Sequence, residues 1–278
     1  MLGAIVGDIV GSRFEFDNIK TKDFYFVTKD CSCTDDTVMT VAVARALIRM
    51  HRDEYFFKAA LVEEMKFLGN KYEHAGYGGR FCSWLRSDDT EPYNSYGNGS
   101  AMRVSPCGFY ANSLSEALEL AKESAEVTHN HPEGIKGAQA VAAAIFLARS
   151  KKSKAEIKVY IEESFYPLAK TLDEIRPTYE FNETCKGSVP EAITAFLESV
   201  SFEDAIRNAV SIGGDSDTIA AIAGSIAFAF YADDTDEWKE CVQLLKKLAG
   251  LFTPEDLMQT VDEFDAICRY RGIEYEVV

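Results

Sequence analysis

Two short acidic segments combine residue types that could bind metal ions. The first, residues 34–37, reads TDDT, and the second, residues 213–218, reads GGDSDT; each opens into an apolar stretch of helical character. A single acidic residue at a helix start is often a cap, because its oxygen accepts free backbone N–H groups and complements the helix dipole. Capping needs one carboxylate, whereas each segment has two. If the two helix starts meet inside the protein, four carboxylates repel one another unless they are protonated or bound to cations.

Carboxylate and hydroxyl oxygens are hard ligands, which suit Mg²⁺ or Mn²⁺ better than zinc. The four aspartates of these segments, with the hydroxyls of Thr34 and Thr218, therefore favour a site for two divalent cations. Glu15 is the next candidate, since it follows the first predicted helix between two phenylalanines. The alternative is an ordinary surface glutamate on a loop. Asp8, within the glycine-rich first helix, is interpreted as structural.

Cysteine and histidine give weaker signals. The seven cysteines include no CxxC pair and no zinc-like spacing, which favours free thiols in a reducing compartment. His129 and His131 form an HxH pair, which by itself is weak support for a metal site. The hard oxygen ligands therefore remain the main candidates for metal binding.

The composition argues against several classes of partner. A formal net charge of −16 opposes binding to nucleic acid phosphates and to anionic membranes. The acidic excess either aids solubility or includes carboxylates gathered to hold cations. The apolar stretch 219–230 is shorter than the about 20 residues that a membrane span needs, and the N-terminus lacks the basic region of a signal peptide. We expect a cytoplasmic protein.

Helical periodicity dominates the chain and predicts one compact all-α domain over residues 1–278. Gly3, Gly7 and Gly11 share one helix face and would let a second helix approach closely. Residues 69–112 are rich in Gly, Asn, Ser and Tyr and predict long loops around a short helix. Residues 23–28 could form a short strand but fit a connection better. The predicted helices are 2–12, 35–51, 54–68, 114–127, 133–149, 153–173, 189–198, 202–211, 217–231, 235–249 and 254–270.

Taken in order along the chain, six segments resemble the ADP-ribosylglycohydrolase family. Each is weak alone, but together they span nearly the whole sequence and are specific. The family resemblance implies an all-α fold with a dinuclear metal site in a cleft. The segments are GAIVGDIVGSRFEF at 3–16, TDDTVMT at 34–40, YGGRF at 77–81, SYGNGSAMRVSPCG at 95–108, THNHPEGIKGAQAVAAAIFLA at 128–148 and GGDSDTIAAIAGSIAFAFY at 213–231.

The resemblance also implies roles for particular residues. Glu15, together with Asp35 and Asp36, would be catalytic, with Glu15 acting on a water molecule or positioning the scissile group. Two cations, Mg²⁺ or Mn²⁺, would be held by six side chains: Thr34, Asp35, Asp36, Asp215, Asp217 and Thr218.

The substrate-binding residues implied by the resemblance lie in three places. The loop 95–99 would cradle ADP-ribose, with backbone N–H groups approaching the diphosphate and an aromatic ring available for stacking. A second glycine-rich segment would contact phosphate or ribose, and a histidine would contact the substrate. These residues are Ser95, Tyr96, Gly97, Asn98, Gly99, Gly76, Gly78, Gly79 and His129.

The implied activity is hydrolysis of the glycosidic bond between ADP-ribose and a protein side chain or small-molecule acceptor, by a protein expected to be a monomer. Three alternatives stay open: a dinuclear phosphohydrolase acting on a nucleotide diphosphate, a non-catalytic binding or structural member, and a hydrolase of the same family with a non-ADP-ribosyl substrate. The complete set of six metal ligands and Glu15 argues against a non-catalytic member. The linkage, to arginine, to serine, in an acetylated ADP-ribose or to another acceptor, depends on the shape of the loops around residues 76–110.

Overall fold

The structure is a computed structural model that describes residues 1–271. Helices carry the fold throughout this range, and its only β-type pairing is an isolated antiparallel bridge between Gly97 and Thr184. The all-α prediction is therefore confirmed. The helices are α1 (Leu2–Ser12), α2 (Asp35–His51), α3 (Phe57–Lys71), α4 (Gly79–Arg86), α5 (Gly99–Met102), α6 (Ser105–Tyr110), α7 (Leu114–Glu126), α8 (Pro132–Arg149), α9 (Lys154–Ser164), α10 (Leu172–Ile175), α11 (Cys185–Leu197), α12 (Phe202–Ser211), α13 (Ser216–Tyr231), α14 (Asp236–Phe252) and α15 (Glu255–Tyr270).

Most helix predictions agree with these bounds, and two segments differ. The single helix predicted over 153–173 ends at Ser164, because the residue before Pro167 disfavours helical backbone; a separate short helix begins after the cap Thr171. The region 69–112 holds α4, α5 and α6 rather than one short helix. Residues 23–28 lie in the connection between α1 and α2 and form no strand.

The packing of α1 against α13 is close because of three glycines. A Cβ atom added to Gly3 would lie 2.4 Å from the carbonyl oxygen of Gly224, and one added to Gly7 would lie 2.1 Å from that of Ala220. One added to Gly11 would lie 2.5 Å from the Cα atom of Asp217. The glycine face therefore allows the close helix approach that its spacing predicted. The approach brings the end of α1 beside the start of α13.

Asp8 fixes the start of α2 against α1. Its side chain is fully buried, and it accepts hydrogen bonds from the backbone N–H of Thr34 (2.9 Å) and of Thr37 (3.1 Å). The hydroxyls of both threonines also donate to it. Burial raises the pKa of Asp8 to about 6, and these hydrogen bonds oppose the rise. The structural interpretation of Asp8 agrees with these contacts.

The seven cysteines are free thiols and lie within the described part of the chain. Among residues 1–271, no helix has both the length and the apolar character needed to cross a bilayer.

Candidate metal centre and substrate cleft

A cavity of about 380 Å³ opens where the starts of α2, α4, α5 and α13 face the α1–α2 connection and the segment 181–184. Six acidic residues, two arginines and a histidine line it. Glycines and aromatic rings complete the lining. These acidic and basic residues are Glu15, Asp35, Asp36, Glu183, Asp215, Asp217, Arg80, Arg103 and His129.

The two acidic segments meet at the wall of this cavity. The hydroxyl of Thr218 donates to Oδ2 of Asp36 at 3.1 Å, a contact between residues 182 positions apart. Carboxylate oxygens of Glu15, Asp215 and Asp217 lie within 4.8 Å of one another. The expectation that the starts of the two helices converge inside the protein is confirmed, and Glu15 joins them.

Burial and mutual repulsion disfavour the charged forms of these carboxylates. The pKa values of Asp35, Asp36 and Asp217 are raised well above their usual range, first by burial and then by the neighbouring carboxylates. The pKa of Asp215 is also raised by burial. Burial, followed by repulsion from Asp215, raises the pKa of the half-buried Glu15 to about 7. A cluster of this kind is stabilised by protons or by cations.

The residues present fit divalent cations. Oδ1 of Asp36 is buried and has no hydrogen-bond partner, although Oδ2 of the same carboxylate accepts from Thr218. An unpaired buried carboxylate oxygen is costly, and a cation would satisfy it. The proposed ligand atoms are carboxylate and hydroxyl oxygens, the set that Mg²⁺ and Mn²⁺ prefer.

Thr34 stands apart from the other proposed ligands. Its hydroxyl donates to Oδ1 of Asp8 at 2.8 Å and accepts from the backbone N–H of Asp36 at 3.3 Å, so it caps α2. Unlike the other five proposed ligands, Thr34 does not line the cavity. Its role as a metal ligand stays a prediction.

The loop 95–99 is held mainly by contacts inside the protein. The side-chain amide of Asn98 donates to Oδ2 of Asp215 at 2.7 Å and to the hydroxyl of Ser188 at 3.1 Å. The backbone N–H of Asn98 donates to the carbonyl of Glu183, and that of Gly97 donates to Oγ of Ser95. Asn98 therefore orients a carboxylate of the metal centre, and these two backbone N–H groups are occupied before any ligand binds.

The start of α4 offers more open backbone donors. Gly78 is its N-cap residue and provides no side-chain cap, so the N–H groups of the first turn lack partners within the helix. A Cβ atom at Gly78 or Gly79 would meet nothing within 4 Å. Gly76, at a φ of +105°, lies close to Oδ1 of Asp35. The glycines leave this helix start open beside the acidic cluster.

His129 and His131 have different surroundings. His129 is buried, shares a 2.8 Å hydrogen bond through Nδ1 with the hydroxyl of Thr128, and has Nε2 close to Gly97 and Gly99. Burial, aided by two nearby arginines, lowers the pKa of His129 well below its usual range, which favours the neutral ring. His131 instead caps α8 by accepting from the N–H of Glu133. The HxH pair does not act as one metal-binding unit.

Several cavity residues escaped the sequence analysis. Arg103 is fully buried and donates to the carbonyl of Ser124 and the hydroxyl of Thr128. Arg80 donates to the carbonyl of Tyr93, with its guanidinium carbon 5.0 Å from the centre of the Tyr93 ring. Both arginines lie inside segments that carry the family resemblance, which was the available signal. The lining residues 181–184 belong to no such segment.

Aromatic side chains surround the entrance of the cavity. Phe16 stacks on Phe181 with ring centres 6.3 Å apart, although both are exposed. Tyr96 is half exposed, and its ring meets the edge of His131 at 5.4 Å. Tyr96 thus lies at the mouth, where it could stack on a planar group of a ligand.

Fold and site together define an all-α protein with a largely buried acidic cluster, of a kind that could hold a metal ion, at the wall of a polar cleft. Within that class, the chain belongs to the ADP-ribosylglycohydrolase family, whose model matches residues 1–268. The resemblance drawn from the six segments is thereby confirmed.

Relatives in bacteria and animals span most of the chain. It is 30% identical to the ADP-ribosylarginine hydrolase Tri1 of Pseudomonas putida (strain GB-1), covering 96% of this chain and 80% of that protein. It is 28% identical to the ADP-ribosylhydrolase ARH3 of Homo sapiens, covering 86% and 87%. A solved structure described as an ADP-ribosylglycohydrolase-related protein complex has the same fold, with a TM-score of 0.66, 20% identity, and coverage of 98% of this chain and 97% of that chain.

Proposed function

We propose that this protein is a metal-dependent hydrolase that cleaves the glycosidic bond between ADP-ribose and an acceptor, either a protein side chain or a small molecule. The observation that carries the proposal is the unpaired, buried Oδ1 of Asp36, which lies in a carboxylate cluster on the wall of the cavity. Family membership and the names of the relatives support the same reaction. The seven free thiols suit a reducing compartment such as the cytoplasm.

Two divalent cations, Mg²⁺ or Mn²⁺, would be held by oxygens from the two helix starts. Bound there, they would supply positive charge that offsets the carboxylates and orients the ribose hydroxyls. The proposed ligands are Thr34, Asp35, Asp36, Asp215, Asp217 and Thr218.

Glu15 is the proposed proton-transfer residue. Without bound cations, burial and then Asp215 raise its pKa to about 7, and its place in the cavity wall would let it exchange a proton with a water molecule there. Hydrolysis breaks the bond from the ribose anomeric carbon to the acceptor nitrogen or oxygen. The hydroxyl of a water molecule joins that carbon, and the water's remaining proton reaches the acceptor, with Glu15 as the carrier. The transition state at the carbon resembles an oxocarbenium ion.

The start of α4 suits the diphosphate of ADP-ribose. The open start of α4 at Gly78 and Gly79 presents backbone N–H groups, and helix starts favour phosphate. Arg80, in the first turn of that helix, adds positive charge in an otherwise acidic protein. His129, as a neutral ring, would donate or accept a single hydrogen bond. Tyr96 would stack on a ring of the ligand.

Product analysis by mass spectrometry tests this function. The protein is incubated with an ADP-ribosyl-arginine protein, an ADP-ribosyl-serine peptide and O-acetyl-ADP-ribose, each with Mg²⁺, with Mn²⁺ and with EDTA. We expect intact ADP-ribose from at least one substrate and none in EDTA. Release from the arginine substrate identifies an N-glycosidic bond, and release from the serine peptide identifies an O-glycosidic bond. Release of AMP and ribose phosphate would instead identify a phosphohydrolase, and binding of ADP-ribose without products would identify a non-catalytic member.

We further propose that residues 1–278 form one domain and that the protein acts as a monomer. The family model, which matches 1–268 without a break, supports the first statement. Sedimentation velocity tests the second. A mass near twice the 30.9 kDa of the chain would refute the monomer.

A further inference from the structure

Asn18 connects the loop that carries Glu15 to the turn that carries Asp215. Its side-chain amide nitrogen donates to the carbonyls of Phe14 (2.6 Å) and Glu15 (3.0 Å), within its own loop. The same nitrogen donates to the carbonyl of Gly214 at 2.9 Å, and Oδ1 accepts from the N–H of Gly214 at 2.7 Å. One side chain therefore joins two parts of the site that are 196 residues apart.

The turn at Gly213 and Gly214 is shaped for this contact. Both glycines have left-handed backbone, with φ values of +71° and +77°. A Cβ atom at Gly213 would lie 3.1 Å from Oδ1 of Asn18, and one at Gly214 would lie 2.3 Å from the ring of Tyr179. The amide of Asn18 pairs with the peptide of Gly214 through both N–H and C=O, as a neighbouring strand would. The next residue in the chain is Asp215.

Lys20 strengthens the same connection. Its ammonium group donates to the carbonyl of Tyr179 at 2.6 Å and to the carbonyl of Ile212, just before the glycine turn. Tyr179 is itself anchored, since its hydroxyl donates to the carbonyl of Gly187 at 2.7 Å. The loop after α1 is thus attached to the turn before α13 through both Asn18 and Lys20.

The acidic cluster gives this attachment an electrostatic role. Oxygens of Glu15, Asp215 and Asp217 lie within 4.8 Å of one another, and like charges at that distance repel. Glu15 lies on an irregular loop with no helix or sheet to hold it there. Neutral hydrogen bonds to backbone, such as those of Asn18, resist that repulsion without adding charge.

We propose that Asn18 is a positioning residue that holds the Glu15 loop against the Gly213–Gly214 turn and thereby sets the Glu15 carboxylate relative to Asp215 and Asp217. This inference rests on the proposed function, because it assumes that Glu15 transfers a proton in the hydrolysis. Asn18 acts through Glu15 and does not touch the substrate.

The test compares Asn18→Ala with Asn70→Ala. Asn70 is also an exposed asparagine whose amide donates to two backbone carbonyls, those of Lys66 and Leu85, but it lies outside the cavity wall. We expect Asn18→Ala to lower kcat by about 10- to 100-fold with KM within threefold, since a misplaced proton-transfer group slows chemistry more than binding. Calorimetric titration should show Mn²⁺ affinity lowered several-fold. Asn70→Ala should change neither quantity by more than twofold.

A double-mutant cycle with Glu15→Gln separates positioning from a general structural effect. If Asn18 acts through Glu15, adding Asn18→Ala to Glu15→Gln lowers the residual rate by less than twofold. The inference would be overturned if the fold-losses in kcat of the two single variants multiplied in the double variant. It would also be overturned if Asn18→Ala had the kcat of the wild type. Failure of the proposed function has a different signature, since the wild-type protein would then release no ADP-ribose.

Discussion

Without divalent cations, the protein should lose stability as the pH rises through neutrality. In the folded state the pKa values of Asp35, Asp36 and Asp217 lie well above those of free carboxyls. The unfolded chain has released these protons by about pH 5, whereas the folded cluster releases them at higher pH. When the pKa of a carboxyl is higher in the folded than in the unfolded state, the free energy of unfolding is highest below the unfolded-state pKa. It falls as the pH rises from there to the folded-state pKa. Rising pH therefore favours unfolding until the folded cluster also ionises.

The size of the effect follows from the number of retained protons. Each proton that the folded state keeps and the unfolded state has lost costs about 1.4 kcal/mol per pH unit. From pH 5.5 to 7.5, one retained proton therefore lowers the free energy of unfolding by about 3 kcal/mol. For a chain of this size, that corresponds to a fall in Tm of about 6–12 °C.

Thermal unfolding in EDTA and in excess Mn²⁺, at pH 5.5, 6.5 and 7.5, measures this dependence. Cations bind the ionised carboxylates, so Mn²⁺ should flatten or reverse the decline. Asp36→Asn removes one buried charge and should be more stable than wild type in EDTA at pH 7.5, but gain less from Mn²⁺. Glu163→Gln, at an exposed site on α9, is the control and should behave as wild type. A Tm of the wild-type protein in EDTA that is independent of pH would refute the reasoning.

Three further predictions concern catalysis, binding and packing. Glu15→Gln should lower kcat by about 10²- to 10⁴-fold and leave ADP-ribose affinity within a few-fold. The control, Glu183→Gln in the same cavity wall, should keep kcat within threefold. Equal loss of rate and affinity in Glu15→Gln would refute the role of Glu15. Arg80→Ala should weaken ADP-ribose binding about tenfold and reduce its salt dependence by calorimetry, with adenosine binding unchanged. Gly7→Ala should lower the free energy of unfolding by about 3 kcal/mol or more, because its Cβ meets α13 backbone, whereas Gly250→Ala, which meets nothing, should not lower Tm.

Local signals were enough to predict most helices and the acidic centre. The segments 34–37 and 213–218 combine caps, paired carboxylates and apolar runs, all visible within a few residues. The glycine spacing of α1 predicted a close helix partner, although it did not identify α13. The prediction of one helix over 153–173 was wrong, because it continued through Pro167. The proline was a local signal for a helix end, but the amphipathic periodicity on both sides of it was given more weight.

Contacts distant in sequence were beyond such reasoning. The side-chain amide of Asn18 forms hydrogen bonds with the backbone of Gly214. The bridge between Gly97 and Thr184 brings the segment 181–184 to the cavity. No local sequence pattern indicates either pairing. The loop 95–99 shows the same limit. Its glycines and Asn98 predicted contacts with a ligand, but Asn98 orients Asp215, which becomes evident only when α13 is in place.

The close packing of α1 on α13 explains why these residues form one site. Gly11 lies against the backbone of Asp217, so the chain leaving α1 emerges beside the start of α13, and Glu15 follows four residues later. Asp8, on the same helix, bonds to the start of α2 and brings Asp35 and Asp36 to the same place. A single helix thus positions both acidic segments and Glu15. A side chain that forces α1 away from α13 should therefore impair cation binding as well as stability, even though no residue of α1 contacts a cation in the proposed site.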